Sequence, residues 1–377
     1  MKRFGFTILL FVLFAGHPAA EGPFETSKNG YVFLPAAGSG EATLPKNLPK
    51  GPEEFSIPQP IEADPQNIVD VAKNPDLRGK LATEASDNLR AFQEIFTYME
   101  EKHGSAPSKL ILPPGEYRVK VKSKNDFVLR NKRHFTLDGS GATIVFSYTA
   151  PENGKTVELF LFNVNSCLNT KIANLKIDWD WENYPLASLV EVVGLGANQE
   201  TLRVKVSDFN EARKRQFDSA DSIYSDFQPF DAERGMIGVS WVNKIGIGKD
   251  AIMTLRWGST ERKFFEEKVD WEGPEATFRP LPEQRTWVRD YVRVGFRYLV
   301  RHYVYTSTAF VLNASTNTTV ENVTIYSAPG MGLSGKGKTH HTWLKQFQLI
   351  NKPGTYGKRW CTATADGINF GSTLGFL

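Results

Sequence analysis

Residues 317–325 read Asn-Thr-Thr-Val-Glu-Asn-Val-Thr-Ile, and residues 169–177 read Asn-Thr-Lys-Ile-Ala-Asn-Leu-Lys-Ile. Asn169, Thr170, Ile172, Asn174, Leu175 and Ile177 thus recur as Asn317, Thr318, Val320, Asn322, Val323 and Ile325, the changes being exchanges between branched apolar types. A weaker third copy places His341, Leu344, Gln346, Phe347 and Leu349 in the corresponding slots, with Leu349 lying 24 residues after Ile325. That interval is too short for a domain and suits one coil of a β-solenoid, whose apolar side is buried only by neighbouring coils. Val, Ile, Phe and Thr alternate with polar residues at period two, the pattern of strands, and Asn stands where a chain turns. The Asn residues therefore read first as structural, stacking amide on amide along the solenoid axis.

Outward from the repeat, the chain divides into regions. Met1 to Arg3 are basic, Phe4 to Gly16 are apolar, and Pro18, Ala19 and Ala20 are small or turn-prone, so residues 1–20 read as a secretory signal peptide. No later segment is apolar enough to span a membrane, and a secreted or periplasmic protein is expected. Residues 21–83 read as an extended lead-in, with Pro, Gly and polar residues concentrated up to about residue 65. Residues 84–102 carry Leu89, Phe92, Phe96 and Met99 on one helical face, a candidate cap over the open end of the solenoid. The first coils extend to residue 182. Between 183 and 297 the repeat vanishes into strand-like stretches joined by charged or Gly-containing turns, as in an inserted antiparallel β domain. The repeat resumes over residues 298–377. The fold class expected is all-β: a right-handed parallel β-helix with an N-terminal helical cap and that insertion.

Composition bounds the function. A 377-residue chain with 41% hydrophobic residues can bury a large core, and a net charge of +3 gives no case for nucleic acid as partner. Cys167 and Cys361 are the only cysteines, and buried apolar roles are favoured over a disulfide. Oligomeric state is not encoded in any of these features.

Leu112 to Tyr117, NTTVENVTIYSAPGMG at 317–332 and TATADGINF at 362–370 resemble bacterial right-handed β-helix proteins of the pectin-lyase-like fold. Among them the resemblance is to glycoside hydrolases that include α-1,3-galactosidases, and it extends to NLKIDW at 174–179 and Arg301 to Tyr305. The resemblance covers roughly residues 84–182 and 298–370 and implies the fold, with activity on galactosyl or related polysaccharide. It also implies further coils with further acids, yet the chain stops eleven residues after Asp366. A fragment, a frameshifted product or a shortened relative each fits that departure.

Glycoside hydrolysis ordinarily needs two carboxyl groups flanking the bond. Asp366, in the Thr-Ala-Asp-Gly-Ile turn, is the first candidate, with a corner-capping carboxylate as the competing reading. Asp178 or Asp180 is its candidate partner. If residues 178–182 were extended, Asp178, Asp180 and Glu182 would share one face, with Trp179 and Trp181 on the other as a sugar platform. The alternatives are buried indoles with solvated acids, or hard oxygen ligands for calcium, the one cofactor entertained. Asp138 and Glu321 are weaker candidates. Asn369 is a candidate substrate contact.

Arg285, Arg289, Arg293, Arg297 and Arg301 recur every four residues, and on one strand they form a basic stripe suited to uronate or sulfate, or else a solvated face. His340 and His341 are adjacent, which turns them apart in a strand and speaks against joint metal ligation. His302 has no partner visible in sequence. Gly332 to Thr339 formally matches a P-loop, and Gly330 to Gly335 a dinucleotide motif, but both require a following helix, whereas the repeat puts a strand there, after a basic loop at 335–339. A non-catalytic glycan-binding module, or a polysaccharide lyase on the same scaffold, remains beside the hydrolase reading.

Overall fold

The computed structural model describes residues 32–35, 59–148, 159–218, 227–231, 236–239, 269–302, 307–355, 358–360, 362–363 and 367–370. The predicted signal peptide, Asp366 and Cys361 lie outside the described residues. Strands dominate, and most of them pair in parallel.

The two copies of the nine-residue pattern lie in the strands Leu168–Trp179 and Thr316–Ile325, which pair in parallel with every repeated position in register, Ile172 beside Val320 and Ile177 beside Ile325. The third copy, His340–Lys345 and Gln348–Leu349, pairs on the far side of Thr316–Ile325. On the near side the long strand Leu168–Trp179 is flanked by Arg133–Asp138 along its first half and Thr143–Tyr148 along its second, and these in turn by Ser108–Ile111 and Glu116–Val121. The apolar and Thr-rich run over 134–146 reads in sequence as one strand. Two form instead, because Gly139, Ser140 and Gly141 turn the chain between them, Ser140 and Gly141 at positive φ.

A second parallel sheet stacks Val128–Arg130, Leu159–Asn165, Ser307–Asn313, Gly330–Lys336 and Ile368–Asn369. Val128–Arg130, Leu159–Asn165, Ser307–Asn313 and Gly330–Lys336 are each followed along the chain by a strand of the first sheet, and neighbouring strands within each sheet are about 4.8 Å apart.

The corners are made by residues in the left-handed region. Asn131, Ser166 and Ala314 occupy one column, at φ values of 53, 54 and 49°. Asn169, Asn317 and His341 form a second and Asn174, Asn322 and Gln346 a third, all near +50°. Asn tolerates this conformation better than other side chains because its short amide bonds locally. The amides also bond between coils: Asn317 Nδ2 donates to Asn169 Oδ1 and Asn322 Nδ2 to Asn174 Oδ1, both at 2.8 Å. Asn174 Nδ2 donates onward to Asp138 Oδ1 at 3.0 Å. Of the three Asn-X-Ser/Thr sequences at Asn313, Asn317 and Asn322, the last two supply rungs of these ladders.

Inside the stack, Phe127, Phe162 and Phe310 meet edge to face at 5.1–5.2 Å along the axis. The helix Leu89–His103 buries Phe92, Ile95, Phe96 and Met99, and Phe92 packs 5.0 Å from Phe127, closing the apolar column at that end. Closing it matters because a coil without a neighbour exposes its core.

Between Trp179 and Ser307 the chain leaves the parallel sheets for an antiparallel one. Ala187–Leu195 pairs with Leu202–Val206 and with Arg297–Arg301. Its two faces are both covered: Ala187 and Leu189 join the main core, while Val190, Val192, Val204, Phe278 and Tyr298 make a second one. The lead-in is not merely extended. Ile68–Asp70 adds a strand to the first parallel sheet, and Val32–Pro35 pairs with Met236–Val239.

The arginine series departs from the single strand expected of it. Arg285–Tyr291 is a helix, and only Arg297–Arg301 is a strand. A spacing of four aligns residues on a helix as well as on a strand, so periodicity alone could not separate the two.

A candidate site on the outer wall of the parallel sheet

Along Glu116–Val121 the residues Tyr117, Val119 and Val121 enter the core, which turns Glu116 and Arg118 outward. Arg118 is in register with Val145, and Val145 with Asp178, so Arg118 and Asp178 stand on one outer wall two strand spacings apart. The segment after Gln348–Leu349 lays Lys352 and Arg359 over this wall.

Asp178 is fully buried there. Its Oδ1 accepts from Arg359 Nη1 at 2.7 Å and from the Trp179 backbone N–H at 2.8 Å, and its Oδ2 lies 3.0 Å from Lys352 Nζ. Lys352 Nζ also reaches Glu116 Oε2 at 3.2 Å, across about 10 Å of stacked strands. Burial pushes the Lys352 ammonium down, but Asp178 and Glu116 together outweigh it and hold its pKa above the ordinary lysine value of 10.5. A buried carboxylate is tolerated only when it is paired, and here Lys352 and Arg359 supply the pairing.

Asp180 follows at the end of the strand with 9% exposure; its Oδ2 accepts from Asn183 Nδ2 at 2.9 Å and faces Arg118 Nη1 at 3.6 Å. The extended run expected over 178–182 stops here, because the chain turns at 181–183 and the Tyr184 N–H bonds back to the Asp180 carbonyl. Three acids therefore do not share one face, and the indoles do not form an open platform. Trp179 and Trp181 are buried, with Trp179 Nε1 donating to Tyr184 O and Trp181 Nε1 to Ser327 Oγ, each at 2.7 Å. The Arg359 guanidinium sits 6.0 Å from the centre of a Trp181 ring.

Other candidates are distributed elsewhere. Glu321 is bracketed by Lys171 and by Lys345, the latter at 2.8 Å, and Asp138 by Lys109 and Asn174; both are outer-face ion pairs between coils. The arginines of the insertion are partnered: Arg285 with Glu200, Arg289 with Asp290, Arg297 with Glu191 at 3.7 Å, and Arg293 with the carbonyls that end the helix. Arg301 lies in strand register opposite Ala187. Asn369 pairs with Ser334 in the second parallel sheet.

His302 does have a partner. Its Nε2 lies 2.7 Å from Ser188 Oγ, both residues are buried, and burial with the nearby Arg213 charge pushes its pKa down to about 3. Among the described residues no group hydrogen-bonds its Nδ1, and Ser188 is fully buried, an arrangement that suits a structural pair. Cys167 is a free buried thiol whose pKa burial pushes up to about 11. The P-loop look-alike is the strand Gly330–Lys336 followed by another strand, and Lys336 Nζ rests 4.4 Å over the Phe160 ring instead of lying in a basic loop.

Sequence reasoning did not find Glu116, Arg118, Lys352 or Arg359. Their partners lie up to 236 residues away, and the 351–360 stretch has no period to place it. Among the described residues, no helix is long and apolar enough to cross a membrane. No protein-family model matches the chain, and no curated protein matches it.

Proposed function

We propose that the chain forms a right-handed parallel β-helix, exported by its N-terminal signal, and that it is a glycoside hydrolase acting on galactosyl or related polysaccharide. The observation that carries this reading is the convergence of acidic and basic side chains from separate coils, Glu116, Arg118, Asp178 and Asp180, on one outer wall. A polymer laid along stacked strands meets such a wall at several subsites. In this reading Asp366, assigned from its sequence alone, is the acid or base, and Asp180 at the wall's rim is its partner. Asp178 positions the wall, since both its oxygens are committed to cations.

The test is reducing-end release from a panel of α-galactosyl and uronate-containing polysaccharides. The native protein should release sugar, and Asp366→Asn should lower turnover about 10²–10⁴-fold while affinity electrophoresis still registers binding.

A second reading, a glycan-binding module without turnover, is favoured by the ion-paired state of Asp178, whose oxygens face Lys352 and Arg359. Binding by the native protein with no release on any polymer selects it. Neither binding nor release would end both readings.

A further inference from the structure

Adjacent residues in a strand face opposite ways, but His341 has a φ of 55°, so the alternation fails at the corner it forms. The two imidazoles come together on the same side, with ring centres 4.7 Å apart and planes at 89°. His340 Nδ1 and His341 Nδ1 are 3.3 Å apart, and Asn317 Oδ1 lies 3.1 Å from His341 Nδ1.

Asn317 Oδ1 can only accept, so in the metal-free chain His341 Nδ1 donates to it, and a metal ion binding at that nitrogen displaces the proton. Asn317 spends its amide N–H on Asn169 Oδ1, which fixes its carbonyl oxygen toward His341. His340 Nε2 lies 3.1 Å from Thr316 Oγ1; a proton on Nε2, donated to that hydroxyl, leaves the lone pair on Nδ1 facing His341. This is the outer-shell arrangement that orients metal-binding histidines. Two ligands at about 2.1 Å from a tetrahedral zinc are about 3.4 Å from each other, close to the separations found here.

The geometry points to a divalent transition-metal site on the last coils, with His340 Nδ1, His341 Nδ1 and Asn317 Oδ1 as its protein ligands and water completing the shell. Imidazole and amide oxygen suit zinc, copper or nickel better than calcium or magnesium. No group of three or more His, Cys, Asp or Glu side chains gathers for a metal among the described residues, and this site has only two such residues, the third ligand being an amide. Asn317 belongs to one coil and the histidines to the next, so a bound ion cross-links them. The site stands independently of the hydrolase reading.

The test is calorimetric titration of the untagged full chain with Zn²⁺ alone, then Cu²⁺ alone. One ion should bind per chain, copper more tightly than zinc. His340→Ala and His341→Ala should each weaken binding at least about 10-fold, and Thr316→Val by a similar factor through the lost outer-shell contact. Asn317→Asp, which adds a charge at the same position, should tighten it. Electron paramagnetic resonance of the Cu²⁺ adduct of the native chain should register two imidazole nitrogens, a readout that needs no variant to fold. Absence of saturable binding would overturn the site, as would binding undiminished in a folded His340→Ala/His341→Ala chain, or a copper spectrum without paired nitrogens.

Discussion

Asp178 shows how burial changes what a carboxylate does. Because Lys352 and Arg359 are both committed to it, Asp178→Ala leaves two cations against a poorly solvated wall and should cost about 3–5 kcal/mol, measured by urea unfolding. Lys352 gives the complementary pH effect. Its pKa is raised on folding, so its contribution is complete below 10.5 and lost as pH rises beyond that; Lys352→Met should flatten the alkaline decline in stability. His302 acts at the other end of the scale. Its folded pKa of about 3 lies below the ordinary 6.5, so the unfolded chain takes up a proton that the folded chain refuses. The stability it supports is complete above 6.5 and falls away as pH drops toward 3, by a few kcal/mol in all. His302→Gln should remove that slope between pH 6.5 and 4 in chemical-denaturation midpoints.

At the scale of elements, the corner ladders carry the repeat. Asn174 is held in the left-handed region, donates to Asp138 and accepts from Asn322. Asn174→Val forces a β-branched side chain into that conformation and removes both bonds, so a loss of about 2–4 kcal/mol is expected, whereas Asn174→Gly keeps the backbone and should lose less. Thermal unfolding of the pair separates the two contributions. Gly330 has the opposite rationale: a methyl group there would overlap the Ser307 carbonyl oxygen of the neighbouring coil, so Gly330→Ala should prevent the two strands from pairing. These elements were legible in sequence because each coil repeats the same local demands at the same spacing. The arginine series and the 178–182 run were not. In the first, a spacing of four fits two kinds of element. In the second, the turn at 181–183 is fixed by indole contacts to Tyr184 and Ser327 that no local pattern announces.

Across the whole molecule, the limit of sequence reading follows from distance. The stacked strands could be inferred from residues 169–177 and 317–325, whose register the structure reproduces position for position. The candidate site could be inferred only in part: Asp178 and Asp180 were visible as acids, but the cations that decide their chemistry come from a segment without periodicity. The antiparallel excursion is tied back where Ala187, Leu189 and Leu299 join the main core and where Arg213 donates to Lys358 O at 3.4 Å.

That segment around Lys352 has a mechanical consequence. A stack of identical turns ordinarily frays from its free end, one turn at a time. Here the segment after Gln348–Leu349 grips Glu116, four strands away across the sheet, so peeling it away must first break the buried grip on Asp178. The sheet is thereby fastened like a clasped bracelet, and the strands beside Lys352 should exchange their amide hydrogens as slowly as those in the middle of the sheet until the clasp is cut.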